Sequence, residues 1–589
     1  MKNNYVATVV MVLMLLVSAV SKATHNRSGE ILYKRLPPFT NSNYTYSISV
    51  VKYFDDGPNI ADRCADTIFF GDGSKGIALR SNGVSGSCCA TSSCGVMIST
   101  YAGYRVKMSI YSVVHTYPGP GSYVIRSSDP NRTSGITNIP NSGSTVFYIE
   151  SVMNLTPNMG ENSSPVLSRP PIDRGQTGQC FFHNACAYDL DGDSLSYELI
   201  TCKDQSGQTV PGYFLPPVST GGSFSLDAVT GLLTWCGPQI QGVFQIAFLV
   251  KEFRKFGCPG TYQQLGYVER DMEMVIAAGS SPFVFSSTGF QDTCIVAGAV
   301  LSKTLTASIS PGSTIEKRLY GYMMAPENAP TAVFSPTLLA LQSGFPAVVS
   351  WTTYCSYVQR LPQPLYVAYT NPNIPIPMTY YRQMRVKVLP PSPKITSAQI
   401  ALSKVTLQWQ APALCAANIS GYNIYRKFGT NSWSHAPCET GAPSSSGFSL
   451  IGSTSSSVTS FVDNDLWTIP NGSQGNYLVT ALMNNCAESY ADSAKVVTLM
   501  VGLKENKLEN SVKVFPNPFS NSFEIQIKGS EYYAVETTLY SLDGKLLQEK
   551  GYQNVQNSIL IDARDLSPGV YFLKLKSKDE TANLKLIKE

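Results

Sequence analysis

Three aspartates at alternate positions, Asp189, Asp191 and Asp193 in AYDLDGDSLSYEL (187–199), carry the densest set of potential metal-ligating oxygens in the chain. On extended backbone alternate side chains point to one side, so this spacing gathers three carboxylates into one cluster. Such a cluster suits calcium, a hard cation that takes roughly 6 to 8 oxygens. The order is not that of an EF-hand loop, because Gly192 stands fourth rather than sixth and the twelfth residue is Ile200. The competing reading is an acidic turn ahead of the SLSYEL strand. Asp72 and His115 offer acid/base chemistry, although a turn carboxylate and a hydrogen-bonded strand-end histidine describe them more simply. Zinc is disfavoured, since His25, His115, His183 and His435 are far apart and no C-x2-C pair occurs. No G-x-S-x-G, H-E-x-x-H or P-loop motif is present, so no enzyme activity is expected. A loop-built carboxylate pair, as in glycosidases, stays open as the alternative.

These residues need a compartment and a scaffold. Lys2 precedes an apolar stretch from Tyr5 to Val20 and then Ser21-Lys22-Ala23, the grammar of a secretory signal peptide (1–23) cut between Ala23 and Thr24. The stretch is shorter than the roughly 20 residues of a spanning helix, so no transmembrane helix is expected in the mature chain. Fourteen cysteines in an exported chain read as a disulfide framework. Two provisional units hold odd numbers of them, so a bridge crosses a boundary or a boundary is misplaced. Cys294, Cys355, Cys415, Cys438 and Cys486 are the bridge candidates, with Cys438 able to staple to Cys415 or Cys486.

At 589 residues one core is excluded, and 45 Gly, 37 Pro and 33 Tyr with only 14% charged residues favour strands and turns over long solvated helices. The expectation is an all-β chain of tandem β-sandwiches. Its 44 basic and 40 acidic residues are scattered, with no basic run, so nucleic acid is not an expected partner. Pro-rich hinges at Ser163–Gly175 and Pro390–Ile395 divide the chain into units at 24–162, 163–280, 281–392 and 393–500. A linker at 501–511 leads to 512–589. From Lys504 onward 12 basic and 12 acidic residues fall in 86, about 28% charged against about 12% before, which marks a domain boundary.

FFGDGS (69–74) and VVHTYPGPGSYVI (113–125) in the first unit resemble the signatures of the polycystic-kidney-disease (PKD) repeat, a β-sandwich. In the second, AYDLDGDSLSYEL, FSLDAVTGLLTW (224–235) and GVFQIAFLVKEF (242–253) resemble cadherin-like and immunoglobulin-like domains of bacterial surface proteins. That resemblance implies that Asp173 in the hinge and Glu252 in the last strand could add cation ligands. The third unit reads as a degenerate relative of the second. VTLQW (405–409), ISGYNIYRK (419–427) and NYLVTALMNN (476–485) resemble a fibronectin type III domain with Trp409 and Tyr477 in its core. Asp66-Thr67-Ile68, Asp193-Ser194-Leu195 and Asp492-Ser493-Ala494 resemble O-glycosylation sites of exported Bacteroidetes proteins, the middle one in competition with a metal.

The last unit carries Phe515-Pro516-Asn517-Pro518, then Asp543-Gly544-Lys545, then Leu566, Gly569 and Tyr571 in LSPGVY, and ends in KLIKE. These elements resemble the C-terminal sorting domain of type IX secretion cargo in Bacteroidetes. The resemblance implies Sec export, folding in the periplasm, passage of the outer membrane and removal of the sorting domain, with the cargo secreted or held at the outer cell surface. The rest resembles gliding-motility-associated and adhesin-like surface proteins of that phylum. The expected function is a structural or adhesion protein whose partners are the Sec and type IX machinery and a surface polysaccharide or host or substratum ligand. The alternative is a secreted polysaccharide hydrolase or carbohydrate-binding accessory. No cofactor is expected apart from the calcium candidate.

Overall fold

The computed structural model describes residues 26–589 except 57–62, 84–94, 102–103, 158–159, 258–259, 280–283, 310–314, 336–345, 373–375, 402–403, 437, 465–473, 492–494, 499–506, 529–533, 556–557 and 579. The expected signal peptide, with Ala23 and Thr24, lies outside that set. Among the described residues no helix is long and apolar enough to cross a membrane.

Period-two alternation along the first unit yields β1 (Asn26–Arg35), β2 (Thr45–Asp55), β3 (Ala65–Phe69), β4 (Lys75–Arg80), β5 (Val96–Tyr101), β6 (Tyr104–Thr116), β7 (Gly121–Asp129) and β8 (Phe147–Leu155). Past the hinge come short β9 (Val166–Leu167), β10 (Arg174–Gln176), β11 (Phe181–Asn184) and β12 (Ala187–Tyr188), then β13 (Ser194–Ile200), β14 (Val218–Leu226) and β15 (Leu232–Pro238). A long hairpin of β16 (Gly242–Gly257) and β17 (Gly260–Ala277) closes the second unit.

That hairpin changes the expected organisation. The pairing order β1-β2-β6-β4-β3-β7-β8-β17 returns on itself because β17 also pairs with β1, at Ser28–Met272 and Gly29–Asp271. The division expected at 162/163 is therefore crossed by backbone hydrogen bonds, and β17 is a wall of the first unit as well as the second. The physical reason is length: 18 residues of strand span roughly 60 Å, enough to serve both units. The other half of the second unit is the sheet β11-β15-β14, packed on the hairpin through Trp235, which meets Phe244 edge-on at 4.9 Å between ring centroids. Buried charge laces β17 to its neighbours. Arg270 pairs with Glu30 at 2.6 Å, Asp271 with Arg132 at 2.7 Å, and Glu269 with Lys203 at 2.7 Å.

The third unit is two four-stranded sheets, one built on Val300–Ile309 and Pro346–Thr352, the other on Gln363–Asn371 and Met378–Leu389. The fourth sets Lys394–Ala401, Lys404–Gln410 and Ser460–Asp463 against the sheet centred on Ile419–Phe428 and Gln474–Met483. Trp409 and Tyr477 are buried in its core as expected, and the Tyr477 hydroxyl donates to Asp463 at 2.7 Å. One contiguous apolar core runs through both units, from Ala297 and Trp351 to Trp409, Tyr477 and Ala487. The last unit is a separate seven-stranded sandwich with its own core around Phe523, Ile525, Leu573, Leu575 and Leu586. The chain is thus all-β, as expected.

Candidate functional site

The acidic triplet occupies a turn between β12 and β13, not the extended backbone that the alternate spacing suggested. The Asp189 side chain causes the difference, because its Oδ1 accepts the backbone N–H groups of Asp191 and Asp193, both at 2.9 Å. Gly192 completes the turn at φ +83°, where a Cβ would stand 2.4 Å from Gln359 Oε1 of the third unit. The carboxylates converge all the same, with one oxygen from each of the three within 4.8 Å of the others. Asp191 accepts the Ser163 backbone N–H at 2.6 Å, which ties the turn to the first hinge.

Glu252 on β16 stands opposite Leu195 on β13 and faces the same turn. It is fully buried, and Asp189 is 1% exposed. Glu252 Oε1 and Asp189 Oδ2 have no hydrogen-bond partner among the described residues. The other Glu252 oxygen meets the Tyr33 hydroxyl at 3.5 Å. Burial, then the charges of neighbouring Asp193 and Asp191, pushes the Asp189 carboxyl far above its ordinary range. Burial, then Asp189 and Asp193, does the same to Glu252. Burial lifts Asp191 to about 6 against the pull of Arg254.

Among the described residues the guanidinium that pairs with this group is Arg254, two residues beyond Glu252. Its Nε and Nη2 donate to the two Asp193 oxygens at 2.8 and 2.5 Å, Nη1 to the Glu161 carbonyl at 2.8 Å, and Nη2 to Asn162 Oδ1 at 2.7 Å. A cavity of about 300 Å³ opens on the turn, lined by Asp191, Asp193, Arg254, Arg360 and Asn485. Arg254, Tyr33, Ser163 and Gln359 carried no sequence signal, since the chain brings them from other strands and units.

Asp173 departs from its expected role. It is buried elsewhere, held by Arg169 at 2.6 Å, His183 Nδ1 at 2.7 Å and the Tyr381 hydroxyl. Burial opposes ionisation there, but Arg169 and His183 prevail and keep its carboxyl well below the usual range. A carboxylate so fully engaged has no oxygen left for a shared ion. Asp72 and His115 do meet, at 2.7 Å, with Phe70 stacked on the imidazole at 3.8 Å. Asp72 also accepts the Ser74 N–H and hydroxyl, so the pair braces the GDG turn; burial opposes ionisation there, but these bonds and His115 prevail and hold the carboxyl down at about 2.

Two bridges join the third unit to the fourth: Cys294–Cys438 and Cys355–Cys415. This corrects the expectation that Cys438 pairs with Cys415 or Cys486, and both bridges cross the Pro390–Ile395 hinge. Cys180–Cys236 lies within the second unit, Cys64 and Cys486 are also disulfide-bonded, and Cys186 and Cys202 are buried thiols. Of the glycosylation triplets, Thr67 is exposed beside buried Asp66, and Ser194 is half-buried next to the acidic turn. Asp492-Ser493-Ala494 lies outside the described residues.

In the last unit the motif residues hold the sandwich together. Asn517 clamps the final strand, its Nδ2 donating to the Lys585 carbonyl and its Oδ1 accepting the Ile587 N–H, both at 2.8 Å. Its flanking residues Phe515, Pro516 and Pro518 carry the chain from the strand Val512–Phe515 to buried Phe519, whose N–H bonds the Ile587 carbonyl at 2.9 Å. Asp543 and Lys545 form a hairpin turn around Gly544 at φ +81°. Leu566 packs on the core, Gly569 opens the next strand, and the Tyr571 hydroxyl donates back to the Ser567 carbonyl at 2.5 Å.

Residues 513–589 match the family described as the secretion system C-terminal sorting domain. No curated protein matches the chain. Solved structures similar to it include a two-domain fibronectin type III segment from chicken tenascin, at 12% identity over 33% of this chain and 98% of that one, with a TM-score of 0.15. Another is the titin Z1Z2 pair crystallised with telethonin, at 12% identity over 39% of this chain and 98% of that one, with a TM-score of 0.14. The all-β class rests on the strands themselves. The sorting module makes the chain cargo of the type IX secretion machinery, delivered to the outer cell surface or secreted.

Proposed function

We propose that this type IX cargo works outside the cell as a stiff structural or adhesion-type scaffold, presenting the faces of its first four units to a surface polysaccharide or to a host or substratum ligand. The observation that supports the reading most is the joining of those units. The β17 wall and its buried ion pairs unite the first with the second, and two disulfides and a shared core unite the third with the fourth. A protein that bears load between a cell and a surface gains from joints that do not bend. An enzyme gains nothing from them unless a site lies between the units. Among the described residues the paired acid and base groups that could suggest catalysis are taken up by structure, as Asp72–His115 and Asp173–His183 illustrate.

The test is retention of beads coated with the purified chain on surfaces bearing either bacterial exopolysaccharide or host extracellular-matrix protein. Saturable retention on one of them, with no release of reducing sugar from the polysaccharide, is expected. Time-dependent release of reducing ends would replace this reading with a hydrolase.

A further inference from the structure

We infer that Asp189, Asp191, Asp193 and Glu252 form a site for a hard divalent cation of calcium's class, and that Arg254 is an internal counter-ion which the cation displaces. The donor set is all oxygen, without the His or Cys that softer metals prefer. Among the described residues four carboxylates share the guanidinium of Arg254, so an ionised pocket would carry an excess of three negative charges in a place from which water is largely excluded. The acidic cluster alone would be weak ground. The independent observation is Glu252, which comes from a different strand, is completely buried and faces the turn with Oε1 unpartnered.

Asp189 points the same way. One of its oxygens is spent on two backbone N–H groups while the other has no donor, so the turn fixes the carboxylate with a lone pair free. Leaving two buried carboxylate oxygens unmatched is costly, and a cation at the turn would offset the negative charge that Asp189 and Glu252 impose on one another.

Arg254 occupies the open side. It holds both Asp193 oxygens and stands 3.9 Å from Asp191, while the Glu161 carbonyl and Asn162 Oδ1 tether its far side. Those tethers keep the guanidinium on the hinge segment when Asp193 turns to an ion, so the exchange needs no backbone rearrangement. The cavity of about 300 Å³ beside the turn provides the route in. Asp191 is bonded to Ser163 in the first hinge and Gly192 abuts Gln359 of the third unit, so a bound ion ties the hinge to the junction.

The test is calorimetric titration of the chelator-stripped full-length protein with calcium chloride, repeated for Glu252→Gln and Arg254→Gln. Terbium luminescence excited through nearby tyrosine gives a second readout that needs little protein. The inference expects one calcium per chain in the wild type, about tenfold or greater weakening in Glu252→Gln, and severalfold tighter binding in Arg254→Gln because the competitor is gone. No calcium or terbium binding by either the wild type or Arg254→Gln overturns the site and leaves a proton-sharing carboxyl cluster. Equal affinity in the wild type and Arg254→Gln overturns the exchange. Unchanged affinity in Glu252→Gln overturns the ligand set. Should Glu252→Gln fail to fold, the Arg254→Gln comparison decides the matter by itself.

Discussion

Replacing Cys355 and Cys415 together by serine removes one staple between the third and fourth units and leaves no odd thiol. The bridge closes a stretch with a sequence separation of 60. Chain-entropy arithmetic for a loop of that length gives about 4 kcal/mol of stabilisation through the unfolded state. For a cooperative body of about 200 residues, that corresponds to a fall in melting temperature of roughly 10 °C. The outer bridge, Cys294–Cys438, has a sequence separation of 144, but the inner bridge shortcuts it, so its own removal costs about as much again. Differential scanning calorimetry of the wild type, each paired variant and the quadruple variant measures these steps. The shared core from Ala297 to Ala487 predicts that the two units still melt together after one bridge is lost. A quadruple variant melting within about 3 °C of the wild type would refute the reasoning, because the staples would then constrain nothing.

Other predictions concern the hairpin and the last unit. Burial pushes Glu269 up to about 8 against the pull of Lys203, with Glu150 and Asp271 adding to the rise. A carboxyl raised on folding contributes stability below its unfolded value near 4.5 that is lost as pH climbs through 8. Urea unfolding should therefore show Glu269→Gln gaining on the wild type between pH 5 and pH 8, and an unchanged difference at the two pH values would count against this burial. Asn517→Ala removes both clamps on the final strand and should cost the last unit about 1 to 2 kcal/mol. In cells it should shift the protein from the outer surface to the periplasm, as immunoblots of the two fractions would show. Wild-type distribution with a destabilised unit would separate folding from sorting.

What could be read from the sequence was local. Strand alternation, the Trp409 and Tyr477 core positions and the three motifs of the last unit each lie within a short window where side-chain period or turn chemistry acts. The shared wall could not be read, because nothing local in GTYQQLGYVERDMEMVIA (260–277) says which of two units that strand serves. The disulfide partners are equally non-local: spacing counts cysteines, whereas pairing depends on how the third unit docks against the fourth. In the acidic turn the three carboxylates do converge, but not for the reason the spacing suggested. Convergence comes from Asp189 capping Asp191 and Asp193, not from strand pleat. Asp173 was misplaced because hinge proximity in sequence said nothing of Arg169, His183 and Tyr381, which claim it in space.

The central claim is that a folded, stapled body is carried out of the cell by its last unit. Mass-spectrometric mapping of both termini, on protein recovered separately from washed cells, periplasm and medium, tests it most directly. The account predicts protein on the cell surface or in the medium that starts at Thr24 and ends between about Val501 and Ser511, with the sorting unit removed. Protein retained in the periplasm and still ending at Glu589 would contradict it.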